Sequence, residues 1–304
     1  MQGKIRIQPP HGYAMRHIQQ PGPAHPERVQ AVPARVRAVQ VELPRGTTLL
    51  DALADAVRAQ GATSAVFSLR ELPLEPMAFV MPALSDTPRH VAYFSERHAP
   101  AGATRIDAGS VTFGLREGQP TLHCHAQWTE ADGRRRSGHV LPTESRLQDT
   151  SSVEGWMLDG AAFEVQPDAE TNFSLLQVAP APGRGEGAEA LAVRVRPNED
   201  LCHALEALCA ARGIRRGRIR GGVGSLIGTV FDDGRTVEPF ATEVFIRQGV
   251  IAPGADGAPR AGIDVGLVAH TGEMAQGRLA RGDNPVLITF ELVIEVEQRE
   301  AAAS

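Results

Sequence analysis

Between residues 121 and 141 the chain reads TLHCHAQWTEADGRRRSGHVL, and the side chains there with the most chemistry to offer are three histidines. His123 and His125 lie two apart, so on a β-strand both imidazoles leave the same face. Asp132-Gly133 is a strong hairpin-turn signal, and reflecting the chain about it sets His125 opposite residue 139 or 140. His139 therefore falls within one residue of His125. Three imidazoles gathered this way suit a borderline divalent metal such as zinc, and they leave a coordination position free, as catalytic zinc sites do. The competing reading is a solvated or satisfied polar face, since histidine is ordinary at half-buried positions. The third imidazole in register is what favours the metal. Arg134, Arg135 and Arg136, at the hairpin tip and near His139 in sequence, are candidate partners for a small anionic ligand. Cys124 points to the opposite face and reads as a small buried hydrophobe.

Other motifs carry less. Arg212, Arg215, Arg216, Arg218 and Arg220 crowd the end of a helix, and Arg216-Gly217-Arg218 has the look of an AT-hook core. Ile219 follows, however, where an AT-hook requires proline, so a solvated or subunit-bridging patch is the simpler account. The run Gly221-Gly222-Val223-Gly224-Ser225 lacks the GK[ST] ending of a phosphate loop and follows a helix, so it reads as a tight turn. There is no GxSxG elbow, HExxH helix or Cys/His nucleophile pair, and whether the chain is an enzyme stays open.

The elements that must position these residues come in two sets, because the sequence repeats itself at one fixed offset. Val41, Leu43, Leu49, Ala52, Leu53, Ala59 and Gly61 match Val193, Val195, Leu201, Ala204, Leu205, Ala211 and Gly213. Each copy reads as a strand, a turn and an amphipathic helix. In the first, Thr47 or Thr48 caps, Leu49, Leu53 and Val57 form the stripe, and Gly61 stops it; in the second these roles fall to Asn198, to Leu201, Leu205 and Leu208, and to Gly213. Strands follow: 65–69, 91–94, 106–113 and 121–128 in the first copy, with Val140 closing a hairpin, and 218–221, 228–231, 242–248, 263–269 and 286–297 in the second. A helix followed by a run of strands predicts an α+β fold, two tandem domains each with a mainly antiparallel sheet and a packed helix. Residues 1–33, rich in Pro, Gln and His, read as a poorly ordered arm. The domains then span 34–178 and 188–300, joined by a Pro/Gly-rich linker at 179–187.

Composition agrees. With 304 residues, of which 42% are hydrophobic, the chain is about twice an ordinary domain, so two cores are expected. Three cysteines without a CxxC pair point to a reducing compartment rather than a disulfide framework. No apolar run is long enough to span a membrane and the start MQGKIRIQPP has no signal-peptide core, so a cytoplasmic protein without membrane partners is expected. The net charge of −5 is not that of a protein that wraps nucleic acid. Lys4 is the only lysine, an arginine bias suited to a GC-rich bacterial genome.

His123, His125, Asp132, Gly133, Gly138, His139 and Val140, together with Gly222, Gly224, Ser225 and Leu226 and the remnant Gly277 and Leu279, resemble the PPC (plants and prokaryotes conserved, also written PCC) domain. The resemblance covers nearly all of residues 34–300 as two domains. It implies a compact α+β fold, a homotrimer, and a histidine metal site of the kind some prokaryotic members hold. In plants the domain accompanies AT-hooks in DNA-binding proteins. The second copy departs from the pattern, with Gly262, Asp264 and Arg278 standing where His123, His125 and His139 stand in the first. Asp264 and Arg278 are expected to form an ion pair, or grip an anion, rather than bind metal. The resulting expectation is a zinc-type metal-binding protein that acts on or senses a small anionic ligand through its first domain, with the second as scaffold. The alternatives are a DNA-binding transcriptional regulator and an oligomeric scaffold without catalytic activity.

Overall fold

The computed structural model describes residues 16–183 and 187–297. The first copy runs β1 Val29–Leu43, α1 Leu49–Ala59, β2 Ala65–Leu69, β3 Leu72–Leu74, β4 Phe79–Val80, β5 Pro82–Leu84, β6 Ala92–Phe94, β7 Thr104–Arg116, β8 Gln119–Thr129, β9 Arg135–Val140 and β10 Ser151–Asp159, followed by an extra hairpin of β11 Ala161–Pro167 and β12 Ser174–Pro180. The second runs β13 Ala188–Val195, α2 Leu201–Ala211, β14 Gly217–Val230, β15 Thr236–Pro253, β16 Pro259–Ala269, β17 Met274–Arg278 and β18 Val286–Val296. The glycine-rich run expected to form a turn lies inside β14, one continuous strand with register shifts where two were expected.

Both copies order their strands alike. Spatially the first reads β1-β10-β2-β7-β8-β9 and the second β13-β18-β14-β15-β16-β17, so helix and strands map one to one. The fold is α+β, two copies of an antiparallel sheet with one helix packed on it. The halves join edge to edge: β1 pairs with β13 through Val29–Val36 and with β10 through Arg35–Leu43, which makes a single 16-stranded sheet. Each helix buries an apolar stripe on its own copy's sheet, Leu49, Leu53 and Val57 in α1 and Leu201 and Leu205 in α2. Gly61 and Gly213, at φ +70° and +68°, end the two helices in the left-handed conformation that only glycine takes freely. Thr48 caps α1, accepting from the Asp51 N–H at 3.0 Å.

The cap of α2 differs from expectation. Asp200 takes it, accepting from the His203 N–H at 2.8 Å. Asn198 instead grips the N-terminal segment, accepting from the Ile18 N–H at 2.9 Å and donating to its carbonyl at 3.0 Å. The arm expected over residues 1–33 is thus corrected for 16–33: Ile18 is buried, Arg28 holds Glu170 through two hydrogen bonds, and Val29–Pro33 already belong to β1. The first fifteen residues of that arm lie outside the described residues, as do the last part of the second domain beyond 297 and residues 184–186 of the linker. The linker's opening residues Ala179 and Pro180 belong to β12. Among the described residues no helix is long and apolar enough to cross a membrane.

The sheet also folds the copies face to face. Ser110 on β7 donates to the Ile246 carbonyl on β15 at 2.9 Å, and Ala108, Val223 and Phe245 form a small buried cluster across the same seam. The β11–β12 hairpin seals one end and brings a carboxylate to two buried arginines: Asp168 Oδ2 accepts from Arg194 at 2.8 Å and Arg196 at 2.7 Å. Burial opposes ionisation of Asp168, but the Arg194 charge and the hydrogen bonds outweigh it and hold the carboxyl down to about 2. Removing the carboxylate strands two buried guanidiniums, so Asp168→Asn is expected to cost about 3 kcal/mol of unfolding free energy. Because the folded pKa lies below the unfolded one, the wild type's advantage is complete above about pH 4 and vanishes as pH falls through about 2. Thermal melts of both proteins across that range check the sign, and a difference independent of pH would remove the ion pair as its cause.

Candidate metal centre

The three histidines meet because β8, the turn at Asp132-Gly133 and β9 fix them in register. His125 pairs with His139 across the hairpin, and His123 lies one pleat along the same face of β8. Gly138, next to His139, is required by close approach: a Cβ there would lie 2.6 Å from the Val80 carbonyl oxygen. His123 Nε2 and His125 Nε2 are 3.0 Å apart, His139 Nδ1 is 3.3 Å from His125 Nε2, and one ligand atom from each ring falls within 4.8 Å of the others. Imidazole nitrogens about 2.0–2.1 Å from a tetrahedral zinc stand roughly 3.3 Å from one another, so the set has the size of a zinc site.

The rear nitrogens decide which atoms face inward. His125 Nδ1 lies 3.0 Å from the Val244 carbonyl, which can only accept, and His123 Nδ1 lies 2.8 Å from Glu291 Oε2. Arg194 Nε donates to Thr289 Oγ1 at 3.0 Å, Thr289 O–H donates in turn to Glu291 Oε1 at 2.9 Å, and both carboxylate oxygens act as acceptors. With both Nδ1 atoms donating, neutral rings of His123 and His125 turn two lone pairs on each other. That arrangement repels unless a cation, metal ion or proton, is shared between them. Three imidazoles, two of them tied from behind by a carboxylate and a carbonyl, could hold a divalent metal. Burial, followed by the neighbouring His123 and His139 charges, pushes His125 well below the ordinary histidine value. Burial and His123 push His139 down to about 3. Both offer neutral nitrogen near pH 7.

Glu291, Val244 and Glu243 all belong to the second copy. Glu243 is buried, with Oε1 4.0 Å from His125 Nε2 and Oε2 without a hydrogen-bond partner. Burial pushes its carboxyl well above the ordinary range, against a backbone hydrogen bond from His139. The site is therefore composite, with imidazoles from the first copy and the groups that orient them from the second. Beside it opens a cavity of about 100 Å³ walled by Tyr93, Phe94, Phe173, Leu175, Leu287 and Ile288.

The structure brings together His123, His125 and His139 but leaves the three arginines outside. Arg134, Arg135 and Arg136 stay on the hairpin, facing Asp132 at 3.7 Å, Asp107 at 4.0 Å and Glu130 at 3.6 Å, and none lines the cavity. Sequence proximity to His139 misleads here because the turn carries them away along β9. In the second copy Asp264 and Arg278 are cross-strand partners, the same register as His125 and His139. Their expected ion pair does not form: Arg247 holds Asp264 at 3.2 Å, and Arg278 approaches Asp232 at 3.9 Å. The Arg278 guanidinium lies over Gly262, where a Cβ would be 2.0 Å from Nη2, so arginine fills the place of the missing imidazole. In the arginine-rich segment, Arg218 and Arg220 are held by Glu297 and Glu295, and Arg220 also stacks over Trp156.

This is a tandem α+β protein with a histidine cluster on the seam between its copies. Residues 183–297, most of the second copy, match the model of the Plants and Prokaryotes Conserved (PCC) domain. Solved structures similar to about half of the chain include the following. A hypothetical protein from Salmonella enterica is 16% identical over 48% of this chain and 96% of its own, with a TM-score of 0.39. A metal-containing protein from Archaeoglobus fulgidus is 15% identical over 46% and 93%, with a TM-score of 0.38. A PPC protein from Pyrococcus horikoshii is 15% identical over 49% and 96%, with a TM-score of 0.37. No curated protein matches the chain.

Neutral burial of His125 and His139 makes a prediction for metal-free protein. In the unfolded chain both titrate near 6.5, so from there down towards 3 the unfolded state binds more protons and stability falls with pH. Melting temperatures of chelator-treated protein should drop between pH 7 and 5, and His125→Leu/His139→Phe should flatten that slope. An equally steep slope in the variant would assign it to other groups.

Proposed function

We propose that this chain binds one divalent metal ion of the zinc type through His123, His125 and His139, and uses it to act on or sense a small ligand in the adjoining cavity. The observation that carries this reading is the pair of Nε2 atoms 3.0 Å apart, with an acceptor behind each ring. When bound, such a metal supplies Lewis acidity or an activated water at its free position. The protein's part is to hold three imidazoles, to orient His123 through Glu291, and to place the Glu243 carboxyl beside His125. No arginine or lysine lines the cavity, so an anionic ligand would find its positive partner in the metal itself.

Purified wild-type protein is expected to carry about one zinc per chain by elemental analysis, and His125→Ala almost none. Glu291→Gln keeps the ligands but weakens the orienting contact, and should lower zinc affinity about 10-fold to 100-fold in a chelator competition. Equal metal content in wild type and His125→Ala would sink the proposal.

A further inference from the structure

We infer that the cavity beside the histidines takes one small uncharged ligand: a single aromatic ring or short aliphatic body with one hydrogen-bonding head group, directed to Glu243. The walls come from both copies, Tyr93, Phe94, Phe173 and Leu175 from the first and Leu287 and Ile288 from the second. The rings are already ordered against one another, with Tyr93 stacked near Phe173 and Phe94 edge-on to His139. Of the four exposed large apolar side chains among the described residues, Leu84, Tyr93 and Phe94 lie on the β5–β6 hairpin, so exposed apolar surface concentrates at this mouth. An apolar cavity of roughly 150 Å³ accepts benzene, so one of about 100 Å³, open at its mouth, limits the body to about one ring.

The head group follows from which polar atoms are already engaged. Thr242 donates to the Leu226 carbonyl, Thr289 donates to Glu291, and Ser225 Oγ accepts from the Ile288 N–H. Glu243 is 6% exposed, lines the cavity, and keeps Oε2 without a partner. A buried polar atom in that state, placed on a cavity wall, is free to pair with a ligand. With a carboxyl at its base and no cationic side chain on its walls, the cavity disfavours an anion unless a metal is present. The inference shares His123 and His125 with the proposed metal centre and rests on that reading only in placing the ligand beside it.

The test uses the full chain, metal-free and zinc-loaded, with phenol, toluene and inorganic phosphate as probes in calorimetric or ligand-observed NMR titrations. Phenol is expected to saturate at one per chain in both forms, with toluene, lacking the hydroxyl, weaker by about tenfold. Glu243→Leu should bring phenol down to the level of toluene. Because Glu243 is buried, Phe94→Ala at the half-exposed mouth serves as a second variant and should weaken both aromatic probes several-fold. Absence of phenol binding in either form, phenol binding that neither variant changes, or preferential binding of phosphate to the metal-free chain would overturn the inference. Zinc uptake without phenol binding sinks this inference alone, whereas phenol binding without zinc uptake supports it and sinks the metal centre alone.

Discussion

Charge buried between the two copies has to be paired across them, and this requirement fixes how the halves meet. From Arg196 the contacts pass to Asp168, to Arg194, to Thr289, to Glu291 and so to His123. Asp168 comes from the first copy's extra hairpin, Arg194 and Arg196 from or just beyond β13, Thr289 and Glu291 from β18, and His123 from β8. A slip of one residue in the β1–β13 pairing would turn Arg194 to the opposite face of the sheet and leave Asp168 and Thr289 without it. Such networks contribute less to net stability than their number of contacts suggests, because desolvation offsets the attraction. Their stronger effect is to penalise every other docking, since each alternative leaves a buried charge alone.

On this frame the duplication has become a division of labour. The equal register of His125 with His139 and of Asp264 with Arg278 shows that both copies retain the hairpin. The strand pairings Val41↔Val153 and Val193↔Leu292 place Ser152 of the first copy where the second has Glu291. One half thus keeps the imidazoles and lacks the orienting carboxylate; the other keeps the carboxylate and has glycine, aspartate and arginine for ligands. A single site survives where a symmetric pair would have two, and neither half holds all of it. The second copy is a scaffold only in the sense that it completes the first.

Much of this was legible because it is local. The HxH alternation and the Asp132-Gly133 turn specify a hairpin, and hairpin geometry brings His139 to His125 without reference to the rest of the chain. The α1 cap, stripe and stop are likewise contained within one short segment. What failed was long-range or depended on direction. Asn198 has a helix-capping side chain, but the chain passes it with φ +67° and its amide serves Ile18, 180 residues away. Arg134–Arg136 are near the histidines in sequence yet lie at the far end of a two-stranded ribbon. Glu243 and Glu291 were passed over, although each is a carboxylate among apolar strand residues, EVFI and FELVI, and a charge at an inward-facing strand position is a signal that it meets a partner. Which partner is a question of tertiary register, and no local pattern encodes that.

A composite site has a thermodynamic consequence that a site within one domain lacks. A ligand that binds only the assembled arrangement stabilises it by its own binding free energy, which grows with concentration over the dissociation constant. Here that arrangement includes the docking of the two copies, because His123 and His125 are aimed by Glu291 and by the Val244 carbonyl. Occupancy and docking therefore favour one another to the same degree, as linkage requires. The apolar cavity lies on the same seam and draws its walls from both halves, so a molecule entering it acts on the same equilibrium. The interface between the copies is thus the element through which occupancy of the proposed metal centre or of the cavity would be coupled to the fold.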